Sequence, residues 1–447
     1  MYAKTAFMEG QLVDVLREKI LAAVELPPPA LTRRDVRLPQ FRNKAFAVIG
    51  MRRAGKTTFL HQCRADLKAL GRRPEQLVYF NFEDERLGDM TARQLSLIPE
   101  THARLFPKTA DGPVTFFLDE IQHVPGWEVF ARRLLDTSGY ELFLSGSSAK
   151  LLSREIATSM RGRAWEVVIH PFGFAEFLLH HAIDVPADPA RVTSRRAALL
   201  DHHLARYLEI GGFPEAQHLA LVERRQLLLG YVDVLLLRDV IERHAVANST
   251  ALRWMVRRLL GSPAGLFSVS KYFTDLKSQG VPVGREGLHN MLGHLSDAFL
   301  VHTVPVATDS EKRRQVNPRK AYPADPGLIP VFDRSGRPNI GHALETAVFI
   351  ELMRRGADVA YVRTASGCEV DFLVRAADGR QELIQVCASV DDPGTLAREL
   401  RALTEAGRDY PRARRLLVVL ESRMPFPEVP PTVRILSAWQ WMLTHEG

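Results

Sequence analysis

The eight residues Gly50-Met51-Arg52-Arg53-Ala54-Gly55-Lys56-Thr57 constrain this chain more than any other feature of it. Two glycines let backbone N–H groups turn inward at close range. A lysine follows where it can reach β- and γ-phosphates, and a hydroxyl follows that as a magnesium ligand. The surroundings agree with this reading: the apolar run 45–49 (AFAVI) enters Gly50, and a helix-forming stretch, 56–70, leaves Lys56. A strand, a glycine-bearing turn and a helix in that order aim the positive end of the helix at an anion. The pattern predicts ATP contacts from Gly50 through Thr58, with Lys56 on the phosphates and Thr57 on magnesium.

A second acidic element belongs with this loop. The apolar run Val114-Thr115-Phe116-Phe117-Leu118 ends on Asp119-Glu120. A strand that delivers Asp119 beside the metal leaves the adjacent acid to polarise an attacking water, so Glu120 is the expected general base. That residue points to hydrolysis rather than to nucleotide binding alone.

Further apolar runs at 77–82, 141–145 and 165–169 alternate with helical segments such as 127–137. Buried strands alternating with helices predict an α/β fold, a P-loop NTPase parallel sheet covered on both faces. From about 172 the pattern turns helical. A polar loop at 183–194 precedes helices at 196–210 and 220–244, which Gly211-Gly212-Phe213-Pro214 separates. Residues 251–303 read as short helices with a strand pair, winged-helix-like, and 305–320 as a basic loop. A second α/β pattern runs from about 340: helix 342–355, strands 359–363, 369–375 and 382–387, helix 395–406, strand 415–420 and a closing helix. The expected divisions are an N-terminal helix and linker (1–40), an ATPase core (41–175), a helical lid (176–250), a winged-helix-like domain (251–325) and a last α/β domain (326–447).

Composition narrows the remaining choices. With 46% apolar and 25% charged residues the chain can build a sizeable core. A net charge of +7 permits nucleic-acid contact without arguing for it. Three cysteines, Cys63, Cys368 and Cys387, lie far apart with no CxxC, which gives no zinc site and fits a reducing compartment. No run approaches the roughly 18 apolar residues of a membrane span, and Met1–Gly10 lacks a signal-type apolar stretch. The expectation is a cytoplasmic protein without a membrane partner.

Taken together, GMRRAGKTTFL (50–60), FLDEIQHVPGWE (117–128), LFLSGSSAKLLS (142–153), RGRAWEVVIHPFGFAEF (161–177), GGFPE (211–215) and YVDVLLLRDVIERH (231–244) resemble bacterial and archaeal AAA-type ATPases that carry a C-terminal domain of unknown function. The resemblance implies an ATPase core, a helical lid, a winged helix and a C-terminal restriction-endonuclease-like fold. It implies a polar sensor after the fourth strand, for which Ser147 is the candidate with Ser148 behind it; a small-residue turn is the alternative. Arg161 and Arg163 are candidates for an arginine that reaches a neighbouring subunit's phosphates in a homo-oligomer, against the alternative of two surface arginines.

The nuclease-like fold places a Glu on its first helix, an Asp on one strand and acid-x-Lys on the next, around magnesium. Glu345 and Asp371 match the first two places, but Gln385 stands for the second acid and Cys387 for the lysine. The chain has 11 lysines, none beyond Lys320, so the domain from 326 onward holds no replacement. Arginine is no substitute, because a guanidinium does not lose its proton. A strand cysteine with no histidine nearby is core rather than nucleophile. The reading is a scaffold that no longer cuts. Arg253, Arg257, Arg258, Lys271, Lys277 and Arg285, and the denser set Lys312, Arg313, Arg314, Arg319 and Lys320, are the candidate nucleic-acid contacts. Three functions remain in play: an oligomeric ATP-hydrolysing switch or motor, an ATP-coupled DNA-processing enzyme, and a nucleotide-dependent binding module that does not hydrolyse.

Overall fold

Five apolar runs in the first part of the chain become five parallel strands: β1 Ala45–Ile49, β2 Leu77–Asn81, β3 Val114–Asp119, β4 Tyr140–Ser145 and β5 Ala164–Val168. The computed structural model describes residues 2–25, 27, 29–41, 43–137, 139–146, 160, 162–334, 339–376, 378–390, 392–420 and 429–444. It divides into two compact units, Met1–Ile169 and His170–Gly447. In the first unit the strand order is β2-β3-β4-β1-β5. All six residues of β3 are buried, as a strand covered on both faces requires. Helices α1 (Tyr2–Glu25), α2 (Lys56–Ala69), α3 (Leu97–Leu105) and α4 (Trp127–Asp136) accompany the sheet, with Leu16 and Ile20 of α1 fully buried.

This order has a consequence for chemistry. β4 is inserted between β1 and β3, so the ends of three strands, carrying Gly50, Ser145 and Asp119, lie side by side. Ligands of open parallel sheets bind at these carboxyl ends.

The second unit opens with helices Phe174–His180, Ser194–Ile210 and Leu221–Leu235, the last running into a π-helical stretch Leu236–Glu242. The GGFPE segment turns out to be a packing device. Gly211 has φ 79°, and a Cβ there would lie 1.8 Å from Asp325 Oδ1. The buried Asp325 carboxylate accepts hydrogen bonds from Gly212 N at 2.6 Å and Gly327 N at 2.9 Å.

Helices Ser249–Gly261, Val269–Ser278 and Arg285–Asp297 follow, with a three-stranded antiparallel sheet of β6 Leu266–Phe267, β7 Val301–Val304 and β8 Arg319–Pro323 in the order β6-β8-β7. The stretch 305–320, expected to be a basic loop, instead contains a short helix, Glu311–Val316, and the start of β8. Apolar Ala321 and Tyr322 explain the strand: both are fully buried.

The last sheet has β9 Asp358–Arg363, β10 Glu369–Arg375, β11 Gln381–Cys387, β12 Arg414–Val419 and β13 Val433–Ser437, in the order β13-β12-β11-β10-β9. β9, β10 and β11 pair antiparallel and β11, β12 and β13 parallel. β13 is a strand that the sequence pattern did not separate from the closing helix; only five residues long, it shows no clear alternation. Residues alternate between two cores, as a strand demands. Ile384, Leu416 and Val418 join Phe349 and Val348 of helix Ile340–Arg354, whereas Leu383, Leu417 and Val419 join Leu396 and Leu403 of helix Pro393–Asp409.

Candidate nucleotide site

The loop after β1 is shaped by contacts that exclude larger residues. Gly50 has φ 144°, and a Cβ on it would lie 2.2 Å from Ile169 O. Gly55 has φ 100° and caps α2, while Ala54 and Met51 are buried. Lys56 is 6% exposed, and its ammonium donates to the loop carbonyls Gly50 O at 3.1 Å and Met51 O at 3.2 Å. Arg52 is half-buried and Arg53, at φ 64°, is exposed. Thr57 is exposed at the loop's rim and Thr58 is half-buried.

Beneath the loop lies a residue that motif reading missed. Arg34, in the segment before β1, is 4% exposed and donates from Nη1 to Ala54 O at 2.7 Å. Its backbone is held by Gln62 of α2, which accepts from Arg34 N at 2.7 Å and donates to Arg34 O at 3.1 Å. Only the close approach of 34 to the loop identifies it, and no local pattern signals that approach.

Asp119 is gripped on both oxygens. Its Oδ2 accepts from Thr57 Oγ1 at 2.8 Å and from Tyr79 OH at 2.7 Å, and its Oδ1 accepts from Ser145 Oγ. Burial, then the charge of Asp119, pushes the Tyr79 hydroxyl well above its ordinary range, so it remains a donor. Ser145 also accepts from Glu120 N at 3.3 Å, and thus joins the two acids of the DE pair. Glu120 has left-handed φ of 55° and receives a hydrogen bond from Gln122 Nε2. Glu83, Glu120 and His123 bring ligand atoms within 4.8 Å of one another beside it.

These donors fit magnesium and ATP. Thr57 and Asp119 already share a hydrogen bond where both would ligate one ion, and the Gly50 cradle leaves no room for a Cβ. The sensor candidates Ser147 and Ser148, and Arg161, lie outside the described residues. The polar side chain that touches Asp119 at the end of β4 is Ser145, two places before the first candidate. Arg163 is half-exposed and its guanidinium is paired with Asp136, a contact of small energetic weight on a surface.

In the second unit Glu345 lies on helix Ile340–Arg354, Asp371 on β10, and Gln385 and Cys387 on β11. Glu345 and Asp371 do come together, and a lysine is with them. Lys320, expected from the sequence in a basic loop, is 3% exposed on β8. Its Nζ lies 3.0 Å from Glu345 Oε1, 2.9 Å from Glu369 Oε1 and 2.8 Å from Asp371 Oδ1. The inference that this cluster lacks a cation is therefore corrected: the cation arrives from a different sheet, upstream of the domain boundary drawn at 326. Burial acts to lower the Lys320 pKa, but Asp371, Glu345 and Glu369 outweigh it and hold the ammonium charged. Burial, and then the charge of Asp371, pushes the Glu345 carboxyl upward, against the pull of the Lys320 ammonium and the Tyr322 hydrogen bond. Gln385 is committed, accepting from Asp371 N at 3.2 Å and donating to Glu399 Oε2 at 2.7 Å. Cys387 is buried, and burial pushes its thiol up to about 11, away from thiolate chemistry.

Comparison with known proteins bears on the family of the chain. The AAA domain family profile matches residues 42–178, and that of a domain of unknown function, DUF8612, matches 201–336. The chain is 32% identical to the uncharacterized protein MJ1544 of Methanocaldococcus jannaschii over 96% of each chain. It is 30% identical to an uncharacterized protein of Haemophilus influenzae over 80% of this chain and 85% of that one. Among solved structures it is similar to a Walker-type ATPase of Pyrococcus abyssi, at 15% identity, 71% coverage of this chain, 95% of that chain and a TM-score of 0.42. The ORC2 protein of Aeropyrum pernix is similar at 14% identity, 72% and 91% coverage and a TM-score of 0.35. No helix among the described residues is long and apolar enough to cross a membrane. The chain belongs to the AAA-type P-loop ATPases, in the family that includes the M. jannaschii and H. influenzae proteins.

Proposed function

We propose that this protein hydrolyses ATP to ADP and phosphate with magnesium, and that the cycle drives an oligomeric switch or motor. The observation that carries the reading is the Thr57–Asp119 contact at 2.8 Å with Glu120 next in the chain. Thr57 and Asp119 are the residues that would hold magnesium, directly or through bound water, and the ion would neutralise charge on the β- and γ-phosphates. The loop amides from Met51 to Lys56 orient the phosphates. The Lys56 ammonium exchanges its two loop carbonyls for phosphate oxygens. Glu120 accepts the proton of the attacking water as the bond from γ-phosphorus to its bridging oxygen breaks, and Ser145 and Gln122 keep it in place. Arg163, with Arg161, is proposed to act across a subunit boundary, for which Arg163 would leave Asp136. Lys56→Ala is expected to abolish magnesium-dependent turnover, and Glu120→Gln to retain ATP binding while losing hydrolysis. Turnover that survives Lys56→Ala would overturn the reading.

Action on nucleic acid is a second reading. It rests on helix Glu311–Val316, which buries none of its residues and presents Lys312, Arg313 and Arg314. Turnover stimulated by DNA or RNA, and falling with salt, is the expected result.

A further inference from the structure

We propose that Lys320 is a resident cation: its ammonium fills the point on which Glu345, Glu369 and Asp371 converge, so this cluster takes no divalent metal and instead clasps the β6-β8-β7 sheet to the last sheet of the chain. Three convergent carboxylates are ordinarily a metal site. An ammonium has three N–H donors, and here three different carboxylates lie within 3.0 Å of it, at 3.0, 2.9 and 2.8 Å. The Lys320 side chain is 4% exposed.

Some of these oxygens have further donors. Asp371 offers Oδ1 to Lys320 and Oδ2 to Val386 N at 2.9 Å. Glu345 Oε1 also accepts from Tyr322 OH at 2.8 Å, so β8 contributes two donors to the cluster. A magnesium ion needs about six oxygens at roughly 2.0–2.1 Å. To bind it the site would have to displace the ammonium from the point where the three acids meet and break these contacts.

Gln385 and Cys387 fit the same account. The acids around Lys320 already outnumber it by three to one. A further carboxylate at 385 would add repulsion, whereas the neutral amide bonds Asp371 N and Glu399. At 387 the chain has a buried thiol rather than a second cation, and Cys387 Sγ donates to Ser389 O at 2.9 Å.

The clasp has a mechanical meaning. Lys320 sits in β8, paired with Leu266 of β6 and Val304 of β7. Its carboxylate partners sit on helix Ile340–Arg354 and on β10. Backbone contacts reinforce the junction: Ala307 N donates to Tyr361 O at 2.7 Å, Tyr361 N to Pro305 O at 3.0 Å, and Tyr361 OH to Pro318 O at 2.8 Å. The two sheets therefore move as one piece.

The test titrates Mn2+ onto the nucleotide-free full chain, followed by electron paramagnetic resonance. Asp119→Asn is present throughout to remove the phosphate loop's own ligand. With Lys320 intact, no bound Mn2+ that depends on Asp371 is expected at millimolar concentration; any ion held near Glu83, Glu120 and His123 is the same with and without Asp371→Asn. Lys320→Ala empties the cage and is expected to gain one Mn2+ per chain, which a further Asp371→Asn removes. A Mn2+ bound in the presence of Lys320 and lost in Asp371→Asn would overturn the proposal, as would Mn2+-dependent cutting of plasmid DNA that Asp371→Asn abolishes. Failure of folded Lys320→Ala to gain the ion would overturn it as well. If Lys320→Ala does not fold, the Lys320-intact comparison with and without Asp371→Asn still decides.

Discussion

Ser145→Ala isolates what the middle strand gives to the hydrolytic site. The serine donates to Asp119 Oδ1 and accepts from Glu120 N. A hydrogen bond to a charged group contributes about 1.5–3 kcal/mol. Asp119 keeps Thr57 and Tyr79 on its other oxygen, so the lower end of that range applies. About 1.5 kcal/mol is a factor of roughly ten in an equilibrium constant. The expected outcome is therefore a tenfold higher magnesium concentration for half-maximal ATP turnover, because Asp119 no longer presents a fixed pair of oxygens. Maximal turnover falls too, since the Glu120 amide loses its acceptor. ATP binding measured in EDTA with a fluorescent analogue is expected to stay within a factor of about two, as the loop amides are untouched. Thermal unfolding checks that the sheet is intact. A variant with wild-type magnesium response and wild-type turnover would refute the reasoning and return the sensor role to Ser147 or Ser148.

Two other perturbations probe features outside the motifs. Arg34→Met keeps the apolar stem but removes the charged donor to Ala54 O, which corresponds to about 1.5–3 kcal/mol of local order. ATP affinity is expected to weaken about tenfold with a lower Tm, and unchanged affinity would show that the loop holds its shape unaided. The second perturbation is acidification. His180 and His218 share an Nε2···Nε2 contact of 3.1 Å beside His181. Burial, then neighbouring charge, lowers His180, and burial, opposed by a Gln217 hydrogen bond, lowers His181, both from the ordinary 6.5. The folded state then binds fewer protons than the unfolded one, so stability is present above about 6.5 and is lost as pH falls below it. Chemical denaturation between pH 7.5 and about 5 is expected to show this slope, shallower in His180→Gln; an identical slope in the variant would exclude the cluster as its source.

How much of this was legible in the residue string depends on how local each device is. The phosphate loop is eight consecutive residues, each doing its work within one turn of chain, and the strand before it and helix after it were visible as an apolar run and a helix-forming stretch. Asp119 and Glu120 were legible for the same reason: a buried strand simply ends on them. Ser145 is different. It matters because β4 lies between β1 and β3, a fact of strand order rather than of spacing. Counting small polar residues after a strand lands equally well on 145, 147 or 148, and only the neighbouring strand ends distinguish them. Arg34 shows the limit further, since nothing in the segment before β1 declares that it returns to Ala54.

No lysine follows Lys320 in the chain, and along the sequence alone the last domain therefore has no cation of that kind. In space the cluster does have one, because it is supplied by a strand whose hydrogen bonds belong to another sheet. Charge gives the general reason. Glu345, Glu369 and Asp371 repel one another at this range unless a cation or a proton offsets their charge, and the cation that does so need not come from the same stretch of chain. The absence of a lysine from its customary strand is thus evidence about that strand alone. What decides whether the cluster is a metal site is whether the ammonium that satisfies those acids can leave, and here it is held by three carboxylates on two different elements.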